Sequence, residues 1–483
     1  MLNYDVISII CAEILDDLGC PIPGDLLSLG LASKKFLEPA LDVLWRNMRS
    51  IEPLFSVLPE TTLFNGQKMF LKPIAPSSWD RLHFYTSRVR DFYELDKGNQ
   101  LNIHDSVYTY LCQGTPIFPR LKTLGLTHSS CSSNLFALFL GCTNLHLVLW
   151  PSPLSLWSEP DTGESDLGPS LAILVSKSPG LKRLTLGRCT YSGLSLALSH
   201  LGNLELLLAE YLPHLETGFI QAIASLPKLT NLNLTLPAGC VFDYTGVESG
   251  FPSLTKFELT GSTFDTSKFF AVARPKALQE LVINWRFDPV VDQSYMSEIA
   301  AITHVLPLFP LLRSLEIVER SQQLRFTDLD ELQLWSIFEP LMKLKKLELL
   351  HYYIPLPLSD RNTARIASAW PRIKELSLSS VGDLPSPEFL VHFARHCPNL
   401  RNLSYPINVP TTIHSAMIRG PPNLPTTHSL MYFHSDVETD VMTAPVVALG
   451  LYQMFPDLAV DGPGNGWILV QDIMESFFVL QDR

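Results

Sequence analysis

Three six-residue segments near the middle of the chain follow one pattern: Leu229-Thr-Asn-Leu-Asn-Leu234, Leu254-Thr-Lys-Phe-Glu-Leu259 and Leu278-Gln-Glu-Leu-Val-Ile283. Each segment has apolar residues at positions one, four and six, with mostly polar residues between them. The segments begin 25 and 24 residues apart. A fixed period within about 20–29 residues is typical of a leucine-rich-repeat solenoid.

The spacing within each segment explains why the pattern must repeat. Positions four and six alternate with polar neighbours, which predicts a short strand with one buried face. A single such strand cannot bury that face, but parallel strands stacked edge to edge bury all of them in one core. Each large apolar side chain then contributes about 1.5–3 kcal/mol. We therefore predict an α/β fold, a leucine-rich-repeat solenoid with a curved parallel sheet and outer helices.

The pattern extends in both directions and predicts eleven strands in total. The eight further units begin at Leu121, Leu145, Leu181, Leu204, Leu312, Leu344, Ile373 and Leu400. A proline stands two residues before many of the eleven first positions, at Pro119, Pro179, Pro227, Pro252, Pro310, Pro371 and Pro398. Proline at this offset ends the preceding helix and favours extended backbone in the residue before it.

Composition indicates a folded, acidic protein. The 483 residues are 46% hydrophobic and 17% charged, with a formal net charge of −12. Sequence-independent nucleic-acid binding requires a basic face, so we expect no nucleic-acid partner.

Cysteine usage and the N-terminal residues predict the compartment. The eight cysteines form no CxxC pair, which indicates neither a metal site nor a disulfide framework. The acidic N-terminus does not resemble a secretory signal, and no run of about 18 apolar residues predicts a membrane span. We expect a protein of the cytoplasm, the nucleus or both, without a membrane partner.

Residues 2–48 differ from the repeats and predict three short helices. Apolar residues recur at helical spacing up to Leu15, a turn-rich break follows at 19–24, and Asp25 is placed to cap a second helix. A third helix contains Leu41, Leu44 and Trp45. A module of about 45 residues is too small to hide all these side chains, so some should face a partner.

This segment resembles the F-box, in the form common in fungal leucine-rich-repeat proteins. Leu2-Asn-Tyr-Asp-Val-Ile7, followed three residues later by Ile10, is similar to the opening of that motif. Asp25-Leu-Leu-Ser-Leu-Gly-Leu-Ala-Ser-Lys-Lys-Phe36 is similar to its middle, and Glu38-Pro-Ala-Leu-Asp-Val-Leu-Trp-Arg46 to its ending. The chain differs from the motif at Asn3, Cys11 and Ala32-Ser33.

The resemblance implies a function. F-box proteins are substrate receptors of Skp–cullin–F-box ubiquitin ligases, so it implies a Skp-type adaptor as partner and, through the adaptor, a cullin. By motif position, the residues that would contact the adaptor are Leu2, Asp5, Val6, Ile9, Ile10, Leu26, Leu27 and Phe36. The alternative is that these apolar residues only pack against the first repeats.

The patterns divide the chain into four parts. Residues 1–48 are the F-box-like module, 49–115 are connecting helices with an N-terminal cap, 116–410 are the repeat array, and 411–483 are a degenerate last repeat with a C-terminal cap. Residues 151–170 lengthen one repeat with a proline- and serine-rich loop, which is predicted to be mobile.

The target should bind the concave face of the array, to which positions three and five point. The target-binding residues predicted there are Leu147, Leu149, Leu206, Leu208, Glu258, Glu280, Glu316 and Glu348, with Trp285 just past its strand. A mildly acidic stripe would favour a basic peptide segment. The alternative is a solvated face whose carboxylates pair with lysines. No tight arginine cluster stands out on these columns.

Motifs of catalysis are missing from the sequence. It contains no GxGxxG, P-loop, HExxH or GxSxG pattern. We therefore expect no enzymatic activity of its own, no catalytic residues, no metal and no cofactor. The expected function is recognition of a protein substrate for a ubiquitin ligase. The rival is a repeat scaffold or inhibitor whose N-terminal helices are only a cap.

Overall fold

A computed structural model describes most of the chain. The described residues are 4–14, 22–94, 102–111, 116–127, 139, 145–150, 168–187, 190–210, 212, 215–237, 247, 250–285, 295–319, 331–382, 384–408 and 428–481. They divide into two compact units. The first is Met1–Asn233 with Val241–Asp243, and the second is Leu234–Cys240 with Tyr244–Arg483.

The first unit begins with helices and continues with alternating strands and helices. Its helices are α1 (Tyr4–Ala12), α2 (Pro23–Ala32), α3 (Lys34–Arg46), α4 (Glu52–Val57), α5 (Pro76–Thr86), α6 (Asp105–Leu111), α7 (Gly168–Lys177), α8 (Leu194–Ser199) and α9 (Phe219–Ala224). Its strands are β1 (Asn47–Met48), β2 (Thr61–Phe64), β3 (Gln67–Phe70), β4 (Asp91–Glu94), β5 (Asn102–Ile103), β6 (Thr123–Thr127), β7 (His146–Trp150), β8 (Arg183–Leu186) and β9 (Leu206–Ala209). The division between the units falls within β10 (Asn231–Thr235).

The second unit continues the alternation. Its strands are β11 (Lys256–Gly261), β12 (Glu280–Trp285), β13 (Ser314–Glu319), β14 (Leu349–Leu356), β15 (Glu375–Ser380), β16 (Asn402–Ser404), β17 (Tyr432–His434) and β18 (Ala459–Asp461). Its helices are α10 (Thr263–Val272), α11 (Tyr295–Val305), α12 (Glu331–Phe338), α13 (Asp360–Ala369), α14 (Leu390–His396), α15 (Ala444–Met454) and α16 (Asn465–Gln481). Short 3₁₀ turns lie at Leu306–Leu308, Glu339–Lys343 and Pro387–Phe389.

The predicted α/β fold is confirmed. A sheet of 15 strands, flanked by helices, runs in the order β1, β4, β6 and then β7 to β18. The strands pair in parallel from β1 through β4 to β9 and again from β11 to β18. Each of the eleven predicted units contributes one of the strands β6 to β16. In β12, side chains alternate between half-buried and buried up to Ile283, as expected of a strand with one face in the core. The face formed by positions three and five is called the open face below.

Two units are out of register with their predictions. Leu147 and Leu149 pair with Leu124 and Leu126, so they occupy positions four and six. Both side chains are completely buried. The prediction that they lie on the open face is wrong, because Leu147, Val148, Leu149 and Trp150 offer apolar side chains in both alternations and the spacing cannot select between them.

The second register difference is at β14. Leu315 pairs with Leu350 and Glu316 with His351, so the unit begins at Leu347 and not at Leu344. Glu348 then precedes the strand and takes no place in the predicted acidic column. Instead it forms ion pairs with Lys374 at 2.6 Å and Arg313 at 3.6 Å.

The N-terminal helices form a module with its own small core. Ile7, Cys11, Leu26 and Ala40, from all three helices, are buried together. The helix α3 follows Ser33, whose side chain accepts from the Lys35 amide, as an N-cap residue does. Asp25, predicted to cap α2, lies inside its first turn, because that helix begins at Pro23.

Residues 47–103 contain strands that the sequence pattern does not reveal. The chain passes from α3 directly into β1, which pairs with β4, and β4 pairs with β6, the first predicted repeat strand. The module is therefore continuous with the sheet through α3. A separate sheet of β2, β3 and β5 lies in the same region.

Candidate functional site

Apolar side chains of the N-terminal module remain exposed. On α1, Val6, Ile9 and Ile10 face solvent, with Ile9 61% exposed. Residues three and four apart share a helix face, so these three form one apolar strip. On α2, Leu27 and Leu31 are four apart and are 54% and 76% exposed. We call these five residues the exposed apolar strips.

The structure distributes the predicted adaptor residues between the core and the surface. Leu26 is fully buried against Ile7, Cys11 and Ala40. Its predicted contact with an adaptor is corrected: its side chain holds the module together and offers no surface. Phe36 is half-buried and packs against the same core. Asp5 is exposed, and Leu2 lies outside the described residues.

Sequence reasoning did not assign Leu31, the most exposed of the five residues, to the adaptor surface. The sequence does contain a pattern that indicates its exposure. Leu31 follows Leu27 by four residues, so the two share one helix face, and the inward face of the helix carries Leu26 and Gly30.

The apolar residues predicted to bind the target do not all lie on the open face. Leu206 and Leu208 are half-buried on this face of β9, as expected. Trp285 is 1% exposed at the end of β12, so its prediction as an exposed anchor is wrong. It ends a run of three buried residues, Ile283–Trp285, where the alternation stops.

The acidic residues on the open face mostly have partners. Glu280 forms an ion pair with Lys256 at 2.6 Å. Glu258 accepts a hydrogen bond from Asn284 at 2.9 Å. Glu316 lies 3.9 Å from His351. In this part of the face the polar groups compensate one another, but only the pair of Glu280 with Lys256 is of the carboxylate–lysine kind that the alternative interpretation expected.

A more open polar groove lies further along the second unit. It has a volume of about 480 Å³ and is lined chiefly by His351, Tyr353, Glu375, Tyr432, His434 and Asp461. The register of the paired strands explains why a groove forms here. His351, Ser377, Ser404, His434 and Asp461 pair in sequence across β14 to β18, so two small serines lie between two histidines. At about 4.8 Å per strand the histidines are about 14 Å apart, wide enough for an extended peptide.

Hydrogen bonds organise the walls of this polar groove. His351 Nε2 lies 2.9 Å from Glu375 Oε1. At the other end, His434 lies 2.9 Å from Asp436 and 3.4 Å from Asp461. The Tyr432 hydroxyl donates to Asp461 at 3.1 Å. The polar groups are thus held in place before any ligand binds.

The polar groove is itself negatively charged, through Glu375 and Asp461. Its lining, within the described chain, includes no lysine or arginine. The Gly462 amide and the Tyr432 hydroxyl lower the pKa of Asp461 below its ordinary value, so this carboxylate stays ionised. Burial, together with Glu316, raises the pKa of Tyr353, so its phenol stays neutral.

Metal ligation and membrane insertion find no support among the described residues. Over the ranges given above, no group of histidine, cysteine, aspartate and glutamate side chains could hold a metal ion. Within those ranges no helix is both long and apolar enough to span a membrane. The buried thiol of Cys397 has its pKa raised to about 12 by burial, which makes it unreactive.

Comparisons with known proteins add little. No protein-family model matches the chain, and no curated protein matches it. Among solved structures, the chain is similar to one in the yeast complex of Rad7 and Elc1, with 17% identity over 85% of this chain and 91% of that one and a TM-score of 0.35. That likeness is too distant to bear on the partners of this chain.

Proposed function

We propose that this chain is the substrate-recognition subunit of a Skp–cullin–F-box ubiquitin ligase. In this proposal the N-terminal module binds a Skp-type adaptor, the adaptor binds a cullin, and the repeats bind a target protein. The chain performs no chemistry itself. It raises the effective concentration of the target at the ligase. The proposal places the protein in the cytoplasm, the nucleus or both.

The exposed apolar strips carry this proposal. The module already has a core, made by Ile7, Cys11, Leu26 and Ala40, so the strips are not needed to fold it. Five large aliphatic side chains on two helices are costly to leave in water, and clusters of this kind mark protein-binding surfaces. Their positions match those of the adaptor-contacting residues in the resemblance to the F-box, except at Leu31.

The polar groove supports the second half of the proposal. Its acidic and aromatic lining fits a lysine- or arginine-containing segment, since carboxylates attract the cation and tyrosine rings favour its stacking. We infer that the target presents a basic, extended segment to this groove.

Copurification with a Skp-type adaptor tests the first half. We expect the intact chain to retain the adaptor, and Ile10→Asp or Leu27→Asp to lose it, because each change puts a charge into an apolar interface. The matched control is Leu196→Asp, a similarly exposed leucine on α8, which should bind like the intact chain.

Two results would oppose the proposal. Failure of the intact, folded chain to retain the adaptor would favour the scaffold or inhibitor. Equal loss in the Leu196→Asp control would show that the strips are not the binding surface. Circular dichroism of each variant separates lost binding from lost folding.

A further inference from the structure

A column of basic side chains lies at the starts of the first strands of the sheet. Arg46, Arg90 and Lys122 each stand one residue before the paired positions of β1, β4 and β6. Backbone hydrogen bonds fix their order, from the Arg90 amide to the Arg46 carbonyl at 2.9 Å and from the Lys122 amide to the Arg90 carbonyl at 2.6 Å. Neighbouring strands lie about 4.8 Å apart, so three long cationic side chains begin side by side.

These side chains line a cleft of about 450 Å³, called the basic cleft below. Its lining is Asp42, Arg46, Phe84, Ser87, Arg88, Arg90, Arg120 and Lys122. Arg88 forms ion pairs with Asp42 and Glu38, so the one acidic residue of the lining is already neutralised. Four positive charges remain.

Further along the sheet, lysines in the same column form ion pairs with glutamates at the starts of neighbouring strands. Lys182 pairs with Glu205 at 3.0 Å, and Lys374 pairs with Glu348 at 2.6 Å. By contrast, Arg46, Arg90, Arg120 and Lys122 form no ion pair with any described residue. Among the described residues, the ion pairs seen further along this column do not extend to its members at the basic cleft, although the net charge of the chain is −12.

The positions of the four groups suit an anion. Arg90 is half-buried, and its Nη1 donates to the carbonyls of Ser87 at 3.2 Å and Arg120 at 3.4 Å, which fixes its guanidinium. Burial and the neighbouring Arg120 lower the pKa of Arg90, against the opposite effect of Asp42 and Asp91. Arg46, Arg120 and Lys122 are exposed and free to move onto a ligand.

We propose that the basic cleft binds a phosphate monoester in its dianionic form, held by Arg46, Arg90, Arg120 and Lys122. A carboxylate carries one charge and two oxygens, whereas a phosphate monoester carries nearly two charges and three acceptor oxygens. Guanidinium groups match those oxygens in bidentate geometry. The ester is either a phosphorylated side chain of a bound protein or a small soluble phosphate ester. This site is independent of adaptor binding, so either proposal can fail alone.

Calorimetric titration of the full chain tests the site. The probes are an acetylated Gly-Gly-phosphoserine-Gly-Gly amide, the same peptide with serine, and inorganic phosphate. We expect saturable binding of the phosphopeptide at pH 7.5 and none of the serine peptide. Because the second phosphoserine pKa is about 6, binding should weaken roughly ten-fold at pH 5.

Variants connect that binding to the basic cleft. Arg46→Gln with Lys122→Gln should weaken phosphopeptide binding roughly ten-fold or more, since hydrogen bonds to charged groups contribute strongly. The matched control, Lys182→Gln with Lys228→Gln, removes the same charge from exposed lysines of the same unit and should bind like the intact chain. Arg120→Gln is a second variant, should the double change impair folding.

Each outcome has a definite meaning. Failure of both phosphate probes to bind, or equal weakening in the two double variants, would overturn the site. Tighter binding of the phosphopeptide than of inorganic phosphate would support it with a phosphorylated protein segment as the source. Equal binding of the two probes, lost in the basic-cleft variants, would support it with a small phosphate ester as the source.

Discussion

The guanidinium of Arg88 donates to the carboxylate of Asp42, and this ion pair fastens α3 to the segment after α5. Arg88 also pairs with Glu38, one turn earlier on α3. Beside it, the rings of Trp45 and Tyr85 are 4.6 Å apart. Because α3 continues into β1, these contacts hold the N-terminal module against the start of the sheet.

Replacing Arg88 with Met should loosen this attachment. The Arg88 side chain is 11% exposed, whereas its partners are half-exposed and can be rehydrated, so we expect a loss of about 1–2 kcal/mol. Urea unfolding with hydrogen exchange of α3 measures it. Arg81→Met, at an exposed position of α5, is the control, and an equal effect there would contradict the role of the ion pair.

Leu26 and Leu27 are neighbours on α2 with opposite environments. Leu26→Ala should destabilise the module by about 2–5 kcal/mol, because it opens a cavity in the small core. Leu27→Ala should change its stability by less than about 0.5 kcal/mol, because that side chain is exposed. Hydrogen exchange of α1 to α3 measures both. Similar protection in the two variants would mean that the core is not where the structure has it.

Removing charge from the polar groove should weaken binding of a basic peptide. Glu375→Gln with Asp461→Asn should reduce the affinity for a fluorescein-labelled hexalysine roughly three- to ten-fold, because two exposed charges contribute modestly. Fluorescence polarisation at low salt measures this, since screening weakens such contacts. Glu205→Gln with Glu339→Gln removes equal charge elsewhere. An equal loss in that control would show a general charge effect, not a site.

Two buried tyrosines of the second unit should respond oppositely to loss of their hydroxyls. The Tyr405 hydroxyl is 2.7 Å from Thr363 Oγ1, so Tyr405→Phe should cost about 0.5–1.5 kcal/mol. The buried Tyr352 hydroxyl has no hydrogen-bond partner within the described chain, so Tyr352→Phe should be neutral or stabilising by up to about 1 kcal/mol. Chemical denaturation compares them, and a larger loss from Tyr352→Phe would contradict the burial assigned to it.

The repeats could be predicted because a solenoid depends mainly on neighbours in sequence. Each unit buries its own positions four and six against adjacent units, so the spacing around Leu232 and Leu234 carries the information. The pattern fails where it is degenerate. Leu344, Leu347 and Leu350 are three apart and all apolar, so the unit at β14 has two possible starts, and only pairing with Leu315 selects the second.

The sequence predicts that some apolar residues of the N-terminal module are exposed. It does not predict which of them lie in the exposed apolar strips and which lie in the core. Leu26 and Leu27 are equally apolar, and α3 decides which of them is covered. The sequence pattern also does not reveal the C-terminal strand β17, because Ser435 stands at position six, where the repeat requires an apolar residue.

The repeated strand and helix units follow from the amino-acid sequence alone, since local apolar periodicity is enough to stack them. Only the tertiary structure brought Arg46, Arg90 and Lys122 together, 44 and 32 residues apart along the chain. They stand before β1, β4 and β6, and β1 and β4 are two- and four-residue strands without a periodic pattern. Charge clusters of this kind depend on register between strands, and a strand's register is set by the partner it pairs with.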